Sequence, residues 1–313
     1  MIKTVVSVGL PIDENMIIRK NTICPKELTG KEKRICIVTG THGDELEGQY
    51  VCYEINRIIK NNFDKLKGIV DIYPALNPLG IDSIQRGIPM FDLDMNRIFP
   101  GDESGAMAEH VASKIIADIK GADICIDIHA SNIFLREIPQ VRISEESKDR
   151  LLKYAKYLNT DFIWIHESVT VLESTLAYSL NSIGTPTLVV EMGVGMRITE
   201  EYCHQIVDGI FRLMKELGIW TGETKDVKEP IISTDREVGF ANADLSGIFI
   251  PNAKHWSSIK EGELIGRILN ALTGDIEEEI YSPCDGLIFT LREYPVVYKG
   301  SLIARILGGN KND

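Results

Sequence analysis

The chain has 313 residues, room for about two domains at roughly 150 residues each. Its 34 Lys and Arg against 46 Asp and Glu leave a formal charge of −12, which excludes a broad nucleic-acid or anionic-membrane footprint. Hydrophobic content of 44% beside 26% charged residues excludes disorder and allows a sizeable core. In chain order, Arg34 to Thr39 is a short β-branched apolar run that ends on Gly40-Thr41-His42-Gly43. From Glu45 to Lys60, Leu46, Tyr50, Val51, Ile55, Ile58 and Ile59 recur at helical spacing. Gly68 to Leu76 reads as a strand closed by Asn77-Pro78. Ala106 to Lys120 reads as a helix with Val111, Ile115, Ile116 and Ile119 on one face. Asp123 to Ile128 and Phe162 to Ile165 read as strands. Leu172 to Ile183 is expected to be helical, Thr187 to Val190 a strand, and Thr199 to Leu217 a helix capped by Thr199. Strands alternating with helices predict an α/β fold with a mixed, largely parallel sheet flanked by helices.

The pattern changes near Trp220. Thr221 to Thr234 is polar, contains Pro230, and reads as a linker. The expected division is a catalytic domain over 1–222 and a smaller β domain over 233–313. The second part contains an internal echo. Ser246-Gly247-Ile248-Phe249-Ile250 and the later Gly262-Glu263-Leu264-Ile265-Gly266-Arg267-Ile268-Leu269 are matched by Asp285-Gly286-Leu287-Ile288-Phe289 and Gly300-Ser301-Leu302-Ile303-Ala304-Arg305-Ile306-Leu307. Gly247 and Gly286 stand 39 apart, and Gly262 and Gly300 stand 38 apart. Two copies of a small β unit predict a duplicated β-barrel or sandwich. The pattern resembles the biotinyl/lipoyl-like hammerhead barrel. The hairpin between the halves, Leu272 to Glu277, lacks the lysine of a carrier, so a structural or gating role is expected.

Cys24, Cys36, Cys52, Cys125, Cys203 and Cys284 form no CxxC pair, and several lie in apolar runs. Free buried thiols in a reducing compartment are expected. Met1 to Leu10 is too short and too polar for a signal peptide. No apolar run approaches the roughly 20 residues of a membrane helix. The expectation is a cytoplasmic protein without nucleic-acid or membrane partners, with a homo-oligomer left open.

Four signals carry chemistry. Gly40-Thr41-His42-Gly43-Asp44-Glu45 follows a strand and opens a helix, where ligands sit in open α/β sheets. His42 and Glu45 can converge across this turn, and imidazole with carboxylate suits Zn²⁺; the plainer reading is a polar loop. Asp127-Ile128-His129 ends another strand. Residues two apart face one side, so His129 can join the metal while Asp127 orients it. Two His and one Glu make the open three-ligand set of a catalytic zinc site. Thr187-Leu188-Val189-Val190-Glu191-Met192-Gly193 ends an apolar strand in a carboxylate. Glu191 could take a proton from a metal-bound water and pass it to a leaving amine, or simply anchor the loop. Asn96-Arg97 offers an amide beside a guanidinium, a match for a substrate carboxylate. Arg86 is a candidate to stabilise an oxyanion, although most arginines are surface residues.

These motifs, with Asp94-Met95-Asn96-Arg97-Ile98-Phe99-Pro100-Gly101 between them, occur in an order that resembles the succinylglutamate desuccinylase/aspartoacylase family, a branch of the zinc carboxypeptidase-like fold. The resemblance covers nearly the whole chain. It implies His42, Glu45 and His129 as zinc ligands, Glu191 as general base and acid, Arg86 as the group polarising the scissile carbonyl, and Asn96 and Arg97 as the grip on the substrate carboxylate. Arg136, Arg197, Tyr294 and Tyr298 are candidates for acyl-group recognition without a motif to place them. The expected activity is zinc-dependent cleavage of an N-acyl amino acid, a small molecule with a free carboxylate. The rivals are a metallocarboxypeptidase acting on small peptides and a non-catalytic binding protein on a hydrolase fold.

Overall fold

The computed structural model describes residues 1–167 and 173–308. Among these residues, one large sheet runs through most of the molecule. Its middle is parallel: β4 (Ile69–Tyr73), β3 (Arg34–Thr39), β5 (Ile124–Ala130) and β8 (Thr187–Gly193) lie side by side in that order. β3 and β5 are buried on both faces, which is why they read as nearly unbroken apolar runs. Alternate side chains feed two cores. Ile35, Ile37, Ile124 and Ile126 pack with α1 (Glu47–Asn61), α4 (Lys148–Ala155) and α6 (Glu200–Glu216). Cys36, Val38 and Cys125 pack with α3 (Met107–Ile119) and α5 (Leu176–Ser182) on the other side. A mixed, largely parallel sheet flanked by helices is therefore the architecture, as the alternation of elements predicts.

In the α/β part, three described strands, β1, β2 and β6, are absent from the sequence reading. β1 (Ile2–Gly9) and β2 (Asn15–Ile23) form an antiparallel hairpin that extends the sheet beyond β4. Much of the hairpin is exposed, so its apolar pattern is diluted. β6 (Leu135–Ser144) runs antiparallel beside β8. It contains Pro139 and the polar residues Arg136, Glu137, Gln140 and Arg142, a composition that hides a strand. β7 (Phe162–His166) pairs parallel with β6.

Two local expectations change. Thr199 precedes α6, but its side chain caps nothing; its backbone N–H instead donates to Glu47 Oε2 at 2.8 Å. α5 begins at Leu176, with Thr175 Oγ1 accepting from the Tyr178 N–H. The expected start of that helix, Leu172, lies outside the described residues.

The polar stretch after Trp220 ends in β9 (Ile231–Thr234), which docks in parallel on β7. Beyond it lie β10 (Val238–Asn242), β11 (Gly247–Pro251), β12 (Ser258–Ile259), β13 (Leu264–Leu269), β14 (Ile276–Tyr281), β15 (Gly286–Arg292), β16 (Val296–Val297) and β17 (Leu302–Leu307). The internal echo is visible in the pairing. β11 pairs β13 with Ile248 opposite Leu269, and β15 pairs β17 with Leu287 opposite Leu307. The short strands exchange: β12 of the first copy pairs β15, and β16 of the second pairs β11. The first copy lies in a separate antiparallel sheet of order β14-β13-β11-β16. The second joins the large sheet, because β15 pairs antiparallel with β6. Among the described residues no helix is long and apolar enough to cross a membrane. All six cysteines are free thiols, five of them buried.

Candidate metal centre and active site

The carboxyl ends of β3, β5 and β8 open onto one cavity of about 870 Å³. The turn after β3 has a steric reason for its glycines. Gly40 adopts a φ of +66°, a conformation that disfavours a side chain. A Cβ on Gly43 would stand 2.0 Å from the Gly80 carbonyl carbon and 2.4 Å from the Gln85 oxygen. The Gly43 N–H donates to the Arg86 carbonyl, so this close approach carries Arg86 to the turn that carries His42. α2 (Pro78–Ser83), on the same segment, is capped by Asn77, whose Oδ1 accepts from the Gly80 N–H.

His42, Glu45 and His129 come together, all buried, with potential ligand atoms within 4.8 Å of one another. His42 Nδ1 lies 2.7 Å from Glu45 Oε1, and His129 Nδ1 lies 2.9 Å from Glu45 Oε2. The outer nitrogens face aspartates: His42 Nε2 is 2.9 Å from Asp94 Oδ1, and His129 Nε2 is 3.2 Å from Asp127 Oδ2. The last is an ion-pair approach without hydrogen-bond alignment, and both Asp127 oxygens are buried without a hydrogen bond. The pattern has a chemical reading. If each imidazole keeps its proton on Nε2 toward an aspartate, the Nδ1 lone pairs face the Glu45 carboxylate. Such lone pairs repel unless a cation lies among them, so the donor set fits a metal ion. The surrounding carboxylates favour positive charge at this point. Burial opposes charge on the imidazole of His129, yet Asp127 and Glu45 hold its pKa well above the ordinary histidine value. Burial likewise opposes charge on Glu45, but His42 and His129 hold its carboxyl well below the usual range.

The other expected residues line the same cavity. Arg86 donates from Nη1 to Glu45 Oε1 at 2.9 Å. Asn96 Oδ1 accepts from the Leu176 N–H at 2.9 Å, which fixes the amide and leaves its NH₂ as the donor end. Arg97 is exposed, with Nη1 donating to the Asn96 carbonyl. Asp94 ties this turn together by accepting from the Asn96 N–H. Glu191 stands opposite His129 in the β5–β8 ladder. Burial raises its pKa above the ordinary glutamate value, against the pull of Arg142.

Arg136, Arg197, Tyr294 and Tyr298 do not line the cavity. Arg136 is paired with Glu293 at 3.1 Å, and Arg197 donates to the Met196 carbonyl at the surface. Arg142, Arg150, Trp164, Tyr178 and Arg305 do line the cavity. Arg142 was within reach of a sequence reading only through β6, the strand whose polar composition conceals it. Trp164 is buried and also forms cavity wall.

Fold and site together define an α/β sheet that carries a metal-capable His-Glu-His group at the carboxyl ends of its strands. Residues 31–217 match the succinylglutamate desuccinylase/aspartoacylase catalytic domain, and the chain belongs to this family. It is 23% identical over 287 residues to the N-alpha-acetyl-L-2,4-diaminobutyric acid deacetylase of Halomonas elongata, spanning 88% of this chain and 82% of that one. It is 29% identical over 178 residues to N-acyl-aromatic-L-amino acid amidohydrolase (carboxylate-forming) A of Danio rerio, spanning 51% of this chain and 52% of that one. A succinylglutamate desuccinylase/aspartoacylase structure from Rhodobacter sphaeroides superimposes with a TM-score of 0.82 at 21% identity, covering 99% of this chain and 96% of that one. The product-bound ectoine utilization protein EutE (DoeB) of Ruegeria pomeroyi superimposes with a TM-score of 0.78 at 19% identity, covering 95% and 90%.

Proposed function

We propose that the chain is a zinc-dependent amidohydrolase that cleaves the amide of an N-acyl amino acid or a similar small carboxylate-bearing amide. One observation carries this reading. The metal-capable group His42, Glu45 and His129, the carboxylate Glu191, and the donors Arg86, Asn96 and Arg97 all line one cavity.

A bound Zn²⁺ would lower the pKa of its water to about 7 and polarise a carbonyl oxygen. The chain's own residues supply the rest. The guanidinium of Arg97 and the NH₂ of Asn96 grip the substrate carboxylate and so fix the distance from that carboxylate to the scissile bond. Glu191 accepts the proton of the attacking water, since its raised pKa brings a carboxylate nearer to neutral pH. The same carboxyl then protonates the departing amine nitrogen. Arg86, whose Nη1 donates to Glu45 Oε1 and whose Nη2 stands 3.6 Å from Asp94 Oδ2, would turn a guanidinium N–H from these carboxylates toward the oxygen that becomes anionic. The Halomonas elongata relative is a deacetylase and the Danio rerio relative an N-acyl amino acid amidohydrolase, which favours an N-acyl amino acid over a peptide.

The test is a panel assayed with zinc-loaded protein by release of free amine. It comprises N-acetyl-L-2,4-diaminobutyrate, N-acetyl-L-aspartate, N-succinyl-L-glutamate, N-acetyl-L-phenylalanine and two dipeptides. Hydrolysis of at least one N-acyl compound is expected, with the dipeptides inert. Glu191→Gln should retain zinc by elemental analysis and lose about 10²–10⁴-fold in kcat. Near-normal turnover by that variant, or preference for the dipeptides, would overturn the reading.

A further inference from the structure

We propose that Arg305, Glu137 and Arg142 form a chain of charges through which the C-terminal β unit holds Glu191 in its working position. The inference rests on the reading of Glu191 as proton acceptor.

Arg142 is a fork with two targets. Its Nη1 donates to Glu191 Oε1 at 3.2 Å, and its Nη2 donates to Glu137 Oε1 at 3.3 Å. Glu137 is 1% exposed and also accepts from Arg305 Nη1 at 2.8 Å, Thr290 Oγ1 at 2.6 Å and Gln140 Nε2 at 2.8 Å. Thr290 and Arg305 belong to β15 and β17. The guanidinium carbons of Arg142 and Arg305 each lie 5.4 Å from the centre of the Trp164 ring, which steadies both. That ring is anchored in turn by Nε1 donating to Asp235 at 2.7 Å.

The backbone of β6 is shaped for this arrangement. Residues 137 and 142 are five apart and would face opposite sides of a regular strand. The register against β8 shifts between Glu137 and Gln140, and this irregularity lets both side chains meet on one face.

Burial decides which bond yields when the chain is broken. Without Arg305, the fully buried Glu137 would keep Arg142 as its one cationic partner. A buried carboxylate short of partners costs more than one that can reach cavity water. Arg142 would therefore swing toward Glu137 and release Glu191. A misplacement of about 1 Å at a reacting group can cost on the order of 10²-fold in rate.

The experiment compares Arg305→Ala, Arg305→Lys, Thr290→Val, Arg142→Ala and Arg142→Ala/Arg305→Ala with wild type and Glu191→Gln. All are assayed on the fastest compound of the N-acyl panel, with thermal melts to confirm folding. Arg305→Ala is expected to lose about 10–100-fold in kcat with KM within about threefold. Arg305→Lys should recover most of the loss. Thr290→Val, which removes one bond and little volume, should lose less in the same sense and keeps the test open if Arg305→Ala does not fold. The double variant should be no slower than Arg142→Ala. Unchanged kcat in Arg305→Ala and Thr290→Val, beside an inactive Glu191→Gln, would overturn the coupling alone. A rise in KM with kcat constant would make Arg305 a substrate contact and overturn it too. Retained turnover in Glu191→Gln would overturn the underlying reading, and the proposal with it.

Discussion

An alanine at Gly43 has no room. Its methyl would stand against the backbone of Gly80 and Gln85, and neither can move aside as a side-chain tip could. Gly43→Ala is expected to cost about 1–3 kcal/mol of stability in a urea titration. It should also push apart the turn bearing His42 and the segment bearing Arg86, so kcat should fall by more than the unfolded fraction explains. A second glycine follows the same rule. Gly193 has a φ of +67°, and a Cβ there would stand 1.9 Å from Glu47 Oε1. Glu47 is fully buried and holds the N–H of Thr199, so the end of β8, the start of α1 and the start of α6 meet at one carboxylate. At this scale the grouping of the candidate residues was largely legible. His42, Glu45, His129 and Glu191 each stand at or just past the end of an apolar strand, where side chains of a parallel sheet meet ligands. Asp94 was not legible as the partner of His42, because its role depends on a turn whose course no local pattern states.

β6 shows why part of the site escaped the sequence. It is buried along most of its length, yet it carries charges inward to the cavity and to the C-terminal unit. A strand whose buried positions are polar has no apolar alternation to detect. Its neighbours become visible only when the sheet closes and brings Thr290 and Arg305 to it from more than 150 residues away. The N-terminal hairpin escaped for the opposite reason, since so much of it faces solvent. The loop before β12 makes a different connection. His255 donates from Nε2 to the Phe289 carbonyl at 3.0 Å, and burial holds its pKa below the ordinary histidine value. The folded chain thus prefers this imidazole neutral, and unfolding lets it take up a proton. Its contribution to stability is complete above about pH 6.5 and falls as the pH drops through the lowered folded value. Unfolding free energy measured from pH 7.5 to 5 should decline less steeply in His255→Gln than in wild type. Equal slopes would remove His255 from the acid response.

The large sheet is the widest-reaching feature. It passes from β1 through the parallel centre and on through β15 and β17 to β10, so the echo near the C-terminus is no appendage hung on a flexible stretch. The −12 balance continues into the cavity, where the five arginines Arg86, Arg97, Arg142, Arg150 and Arg305 stand among eight carboxylates, so an anionic substrate would have to be held by a few placed groups and not by a net field. The fold class and the echo were legible because both rest on repeated local patterns. The joining of β15 to β6 was not, because a strand edge carries no sequence sign of its partner.

The echo also writes the same three letters twice. Arg267-Ile268-Leu269 in β13 and Arg305-Ile306-Leu307 in β17 hold equivalent places in the two copies. Their fates differ by location alone. Arg305 is bound to a carboxylate of the cavity wall, whereas Arg267 has a side chain 41% exposed and stands 4.0 Å from Glu279. The molecule therefore carries its own matched control. Arg267→Ala removes an identical side chain from an identical strand position and should leave kcat and KM at wild-type values in the same amine-release assay. A loss there equal to that of Arg305→Ala would mean that the assay senses the integrity of the β unit and not the wiring of one arginine.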